Sequence, residues 1–197
     1  NLDGKVIFSR VSKYLDTPFE VAHGGGIFRS ATCEIGTPIE KGLTKMNAEV
    51  MKAFGMQFGA SHTEFIVSKA TGDLFFLETS SRVGGANLAE MVAFASGINL
   101  WSEWAKIESD SLKQRKYKLP TTKNTYSGIV VSLSRYEYPD SSSFNDKEIV
   151  WRMNKAWHIG MIVVSDSSER VLELLDQYTK RIANEFHASL PAPDKTQ

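Results

Sequence analysis

The chain has 197 residues, 42% of them hydrophobic and 11% aromatic, the makeup of a soluble globular protein with one sizeable core or two small ones. Its 23 basic and 23 acidic residues cancel, so no overall field steers nucleic acid or an anionic membrane, and a charged ligand has to be recognised locally. The single cysteine, Cys33, excludes an internal disulfide and a thiolate metal cluster; with no apolar stretch of membrane-spanning length and no signal peptide, this points to the cytoplasm.

KVIFSRV (5–11) reads as a strand introduced by the turn Asp3-Gly4. A sequence that opens in mid-sheet fashion and without methionine is expected to be a piece of a longer protein. Residues 16–37, with Pro18 and Gly24-Gly25-Gly26, predict a loop carrying one edge strand around IFRSATCEI. The three glycines give the chain slack, or let backbone amides approach a phosphate. Thr37-Pro38-Ile39-Glu40 has the pattern of a helix start, with Thr37 as cap, Pro38 in the first turn and Glu40 completing a capping box. Leu43, Met46, Val50 and Phe54 mark its apolar face, and Gly55 ends it.

HTEFIVSK (62–69) and LFFLETS (74–80) predict two strands joined by a short Gly-containing segment, a hairpin. Leu88, Met91, Val92 and Ala95 recur at helical spacing up to Gly97, and Asn99 caps a further helix bearing Leu100, Trp101, Trp104 and Ile107. Trp101 and Trp104 are expected in the core. The polar stretch around KQRK (113–116) and Pro120 marks a boundary, so the expected division is 1–112, a linker at 113–125, a small α+β part at 126–190 and a disordered tail at 191–197. The third part offers a long strand in TYSGIVVSLSRYEY, strands in EIVWRMN and HIGMIVVS, and a helix opened by Asp166-Ser167-Ser168-Glu169.

The chemistry concentrates on the hairpin. Side chains alternate along a strand, so Glu78, Ser80 and Arg82 share one face, as do His62, Glu64 and Ile66 on the preceding strand. With an odd hairpin loop, positions summing to 142 face each other and Glu64 lies across from Glu78; a two-residue loop would break that register. Two facing carboxylates have Cβ atoms ~5 Å apart and repel, so something positive must compensate. Arg82 is one candidate and a divalent cation the other, with an oxygen-only donor set suited to Mg²⁺. Spacing alone equally allows both glutamates to decorate a solvated face. The following Gly84-Gly85 leaves the amides of the next helix open to an anion beside Arg82. His62, His158, His187 and Cys33 read as structural.

The ordered set His62-x-Glu64-Phe65, then Phe76-Leu77-Glu78-x-Ser80-x-Arg82-x-Gly84-Gly85, resembles the C-terminal half of the ATP-grasp domain found in biotin carboxylase-like proteins and carboxylate–amine ligases. The resemblance implies an α+β fold, an antiparallel sheet with flanking helices plus a small β-rich C-terminal lobe. It implies ATP and Mg²⁺ as cofactors, with Glu64 and Glu78 as metal ligands, Ser80, Gly84 and Gly85 at the nucleotide, and Arg82 at the transferring phosphate or the substrate carboxylate. It also implies ADP-forming ligation through an acyl phosphate. Where the family commonly has asparagine as a third metal ligand, this chain has Ser80, and a non-catalytic binding module of the same fold is the alternative. Expected partners are a small carboxylate substrate and the missing N-terminal part of the same chain, with a homodimer compatible and neither nucleic acid nor membrane involved. The piece alone is expected to bind ATP weakly or not at all.

Overall fold

The structure, a computed structural model, describes residues 1–16 and 26–188. Gly24 and Gly25 of the triple glycine and the 191–197 tail lie outside the described residues. The elements in chain order are β1 (Ser12–Tyr14), β2 (Phe28–Thr32), α1 (Pro38–Ala53), β3 (His62–Val67), β4 (Leu74–Ser80), α2 (Leu88–Ser96), α3 (Leu100–Leu112), β5 (Tyr126–Leu133), β6 (Ile149–Arg152), β7 (His158–Ser165) and α4 (Ser168–Glu185). They fall into two units, Asn1–Val11 with Cys33–Asn124, and Ser12–Thr32 with Thr125–Gln197.

The second unit is a five-stranded antiparallel sheet in the order β1-β2-β5-β7-β6 with α4 packed on it. Helix α4 begins where Ser167 accepts a hydrogen bond from the Arg170 amide, and it turns Val171, Leu174, Leu175, Tyr178 and Ile182 inward at helical spacing. These meet Val130, Met161 and Val163 from β5 and β7, with Phe144 beneath Tyr178. Here the sequence expectation needs two corrections. The strand in IFRSATCEI is interior, because β2 pairs with both β1 and β5. Residues 12–32, assigned from sequence to the first part, join the second unit through that pairing.

In the first unit α1 starts as the sequence predicts: Thr37 accepts from the Glu40 amide, and Glu40 reaches back to the amide of Gly36. The helix buries Leu43 and Met51, while Phe54 is exposed. Residues 5–11 are not a strand; the described segment shows only a bridge between Leu2 and Lys5. Asp3-Gly4 is the expected turn, with φ of 49° and 71°. Helices α2 and α3 lie in the predicted places, ended by Gly97 and capped by Asn99. Trp101, expected in the core, is exposed and stacks on Trp104 with ring centroids 6.3 Å apart. No described helix is long and apolar enough to cross a membrane.

The segment after α3 is pinned rather than slack at Tyr117. Its buried hydroxyl donates to Oε2 of Glu103 at 2.7 Å, and Lys106 donates to Oε1 at 2.7 Å. Burial, then the carboxylate, pushes the Tyr117 phenol well above its ordinary range. Tyr117→Phe leaves the buried Glu103 with one fewer donor, and chemical denaturation is expected to show a loss of about 1–2 kcal/mol.

Candidate functional site

The site is built on the β3–β4 hairpin. Its turn is closed by Ser68 and Asp73: the Ser68 amide donates to Asp73 O at 2.8 Å and the Gly72 amide to Ser68 O at 2.9 Å. Gly72 takes φ 77°, a left-handed value that suits glycine. From there Val67 pairs with Leu74, Ile66 with Phe75 and Phe65 with Phe76, and beyond them Glu64 pairs with Glu78, Thr63 with Thr79 and His62 with Ser80. The first three pairs sum to 141 and the last three to 142. The expected Glu64–Glu78 pairing is therefore present, but not through an odd loop. Leu77 is the extra residue of a β-bulge, which shifts the register by one between Glu64 and Phe65.

The two faces of the hairpin past the bulge differ. On one, the hydroxyls of Thr63 and Thr79 bond at 2.9 Å and tie the strands together. On the other stand His62 with Ser80 and Glu64 with Glu78; Glu64 and His62 are half-buried and Glu78 is exposed. Arg82 is exposed, with Nη1 held by the Val83 carbonyl at 2.9 Å, so its orientation is set by its own backbone. Val83 itself is buried and anchors the loop.

His62 is the electrostatic reporter of this cluster. Burial lowers its pKa from the usual 6.5; Glu64 and Glu78 act to raise it and Arg82 to lower it, which places all four side chains in one field. A histidine with a depressed folded-state pKa binds fewer protons folded than unfolded. Its contribution to stability is present above 6.5 and is lost as pH falls through the folded value. Urea titrations should therefore show stability declining as the pH drops below 6.5, and His62→Asn should flatten that decline.

The Gly84-Gly85 stretch leads into α2. The left-handed residues ahead of α2 are Ala86 (φ 50°) and Asn87 (φ 59°), not the glycines. Gly84 sits in tight space: a Cβ there would lie 3.2 Å from Leu88 Cβ and 3.3 Å from His62 Cδ2. Gly85 has open space around it. Asn87 occupies the N-cap of α2 without a side-chain capping bond, so the helix start is not closed by its own cap.

Among the described residues no group of three or more His, Cys, Asp or Glu side chains converges as a metal cage. A facing pair of carboxylates beside an arginine and an uncapped helix start suits Mg²⁺ that keeps water and phosphate oxygens as its remaining ligands. A recess of about 300 Å³ in the same unit is lined by Ile7, Arg10, Cys33, Ile35, Leu119 and Lys123 among others, and Glu64, Glu78 and Arg82 are not part of its wall. The sequence pattern marks the carboxylates, Ser80, Arg82 and the glycines; nothing in it announces the bulge at Leu77 or the His62–Gly84 packing.

No protein-family model and no curated relative matches the sequence. Solved structures do. Phosphoribosylglycinamide synthetase from Anaerococcus prevotii aligns over 97% of this chain and 51% of its own, with TM-score 0.60 and 14% identity. L-amino acid ligase from Bacillus licheniformis aligns over 85% of this chain and 44% of its own, with TM-score 0.60 and 16% identity. The biotin carboxylase domain of Hydrogenobacter thermophilus 2-oxoglutarate carboxylase, in complex with MgADP, ADP and bicarbonate, aligns over 82% and 39%, with TM-score 0.50 and 15% identity. The chain thus spans about half the length of the first two structures. At such identities the likeness speaks for architecture, and the architecture agrees with the motif order on the hairpin: the chain has the fold of the C-terminal portion of an ATP-grasp protein.

Proposed function

We propose that this chain carries the metal and phosphate side of an ATP-dependent carboxylate–amine ligase, with amino-acid ligation preferred over biotin carboxylation. The observation that carries the reading is the cross-strand Glu64–Glu78 pair, two carboxylates on one face of the hairpin in the same field as Arg82 and His62. Arg82 and the uncapped start of α2 supply positive character next to it. The fold shared with an L-amino acid ligase supports the choice of reaction class.

Glu64 and Glu78 would hold Mg²⁺, with Ser80 offering a hydroxyl to the metal or to its water. Bound there, the ion would neutralise charge on the β- and γ-phosphates of ATP. Arg82, fixed by Val83 O, orients the transferring phosphoryl group or the substrate carboxylate with its free guanidinium edge. The substrate carboxylate oxygen attacks the γ-phosphorus, ADP leaves, and the amine then displaces phosphate from the acyl phosphate. The protein's part is positioning and charge, without a covalent protein nucleophile. The adenine grip and phosphate-binding lysines are proposed to lie in the remainder of the fold.

The test is ADP release by the parent protein with Mg²⁺ and ATP, offered pooled amino acids or, separately, biotin with bicarbonate. Release that depends on the amino-acid pool is the expected result. A folded parent that releases ADP with neither pool favours the non-catalytic binding module, a reading for which Ser80 in place of a metal-binding asparagine is the motive.

A further inference from the structure

The recess of about 300 Å³ in the first unit has a wall chemistry of its own. Separate stretches of chain build that wall, and main-chain bonds hold them together. The Cys33 amide donates to Val11 O at 2.9 Å, which joins the segment 7–11 to the approach of α1. The Lys123 amide donates to Ser96 O at 2.7 Å, which pins 119–124 to the end of α2. A wall tied at both seams is formed before any ligand arrives.

Its charges do not cancel. Arg10 and Lys123 line the recess, with Glu40 as the one carboxylate among the described lining residues. Glu40 is engaged in the first turn of α1, where Oε2 accepts from the Gly36 amide at 3.1 Å and Oε1 from the Thr44 hydroxyl at 3.1 Å. The Ser96 hydroxyl is engaged as well, donating to Val92 O at 2.6 Å and accepting from the Ile98 amide at 3.1 Å. The surplus on the wall is therefore positive, and much of the remaining lining is apolar, including Ile7, Ile35 and Leu119.

Two cations beside an apolar lining favour an anion that carries hydrocarbon over a bare, strongly hydrated one. A guanidinium with an ammonium suits a carboxylate, the first by its fork of donors and the second as a point charge. We propose that this recess is a binding site for a small monocarboxylate with a short hydrocarbon tail, its charge held by Arg10 and Lys123.

Cys33 lies on the same wall, half-buried, and serves as the probe. Iodoacetate and iodoacetamide alkylate a thiolate by the same displacement of iodide and differ in charge, so the ratio of their rates cancels the reactivity of the thiol itself. The rates are read in the folded parent protein by mass spectrometry of the peptide that carries Cys33. Lys123→Gln should lower the iodoacetate-to-iodoacetamide ratio about threefold, the effect of one unit charge a few ångströms away in a wet site. Arg10→Gln should act in the same direction, and added salt should shrink both effects. Butyrate should slow both reagents, and butyramide, its neutral counterpart, should not. A ratio unmoved by Lys123→Gln, whose side chain is exposed, would overturn the proposal. Equal protection by butyrate and butyramide would do so too, as would a Cys33 that neither reagent reaches. Glu64, Glu78 and Arg82 are not on this wall and ADP release plays no part in the readout, so its outcome is separate from that of the ligase reading.

Discussion

Glu78→Gln in the parent protein should lower the rate of ADP release by about 10²–10³-fold, the scale on which removing one charge-stabilising group acts in a preorganised site. The same change should leave the fold intact, because Glu78 is exposed and the strands are tied on the opposite face by Thr63 and Thr79. Without metal it should even stabilise the hairpin, by about 0.2–1 kcal/mol, since one of two facing charges is gone. Opposite signs in stability and activity separate a functional carboxylate from a decorative one. Glu64→Gln should lower ADP release on the same scale. Unchanged ADP release in either variant would remove that residue from the metal site.

The largest stability effect is expected where β5 meets α4. Gly128 is opposite Val163 in the sheet, and a Cβ on it would lie 2.6 Å from Leu175 Cδ1 and 2.7 Å from Val171 Cγ1. Leu175 can shift its terminal methyl, but Val171 is β-branched and stiff in a helix. Gly128→Ala should therefore cost about 1–3 kcal/mol by overpacking. Leu175→Ala, at a fully buried position, should cost about 2–5 kcal/mol. Because the second change makes room for the first, the double variant should lose clearly less than the two losses added together. Additive losses in urea melts would mean that the two side chains do not share this space.

Particular residues show why some of this was legible in the sequence. β4 and β7 fall on LFFLETS and HIGMIVVS, because each is a short apolar run with polar or glycine flanks. α1 and α4 were marked by Thr37 and by Ser167 with its neighbours, since a capping side chain is a local device that one stretch of chain carries by itself. The facing glutamates were legible, but their cause was not. In Phe75-Phe76-Leu77 every residue is apolar, so alternation gives no sign that Leu77 is an extra residue. Pairing was harder still: β2 becomes interior only through β5, about a hundred residues later, and no local pattern encodes that choice. KVIFSRV has the local preference of a strand, and preference needs a partner to become one. Trp101 was placed in the core by its spacing, yet α3 buries Glu103 and Ile107 and leaves Trp101 to stack on Trp104.

Glu64 and Glu78 are proposed to hold a divalent ion at the nucleotide. Manganese, a paramagnetic stand-in for magnesium, tests it directly when titrated with ADP into the isotope-labelled parent protein. Selective broadening of the resonances of His62, Glu64, Glu78 and Ser80 is expected, abolished in the Glu78→Gln variant. Broadening centred elsewhere, or unchanged by that substitution in a folded protein, would contradict it.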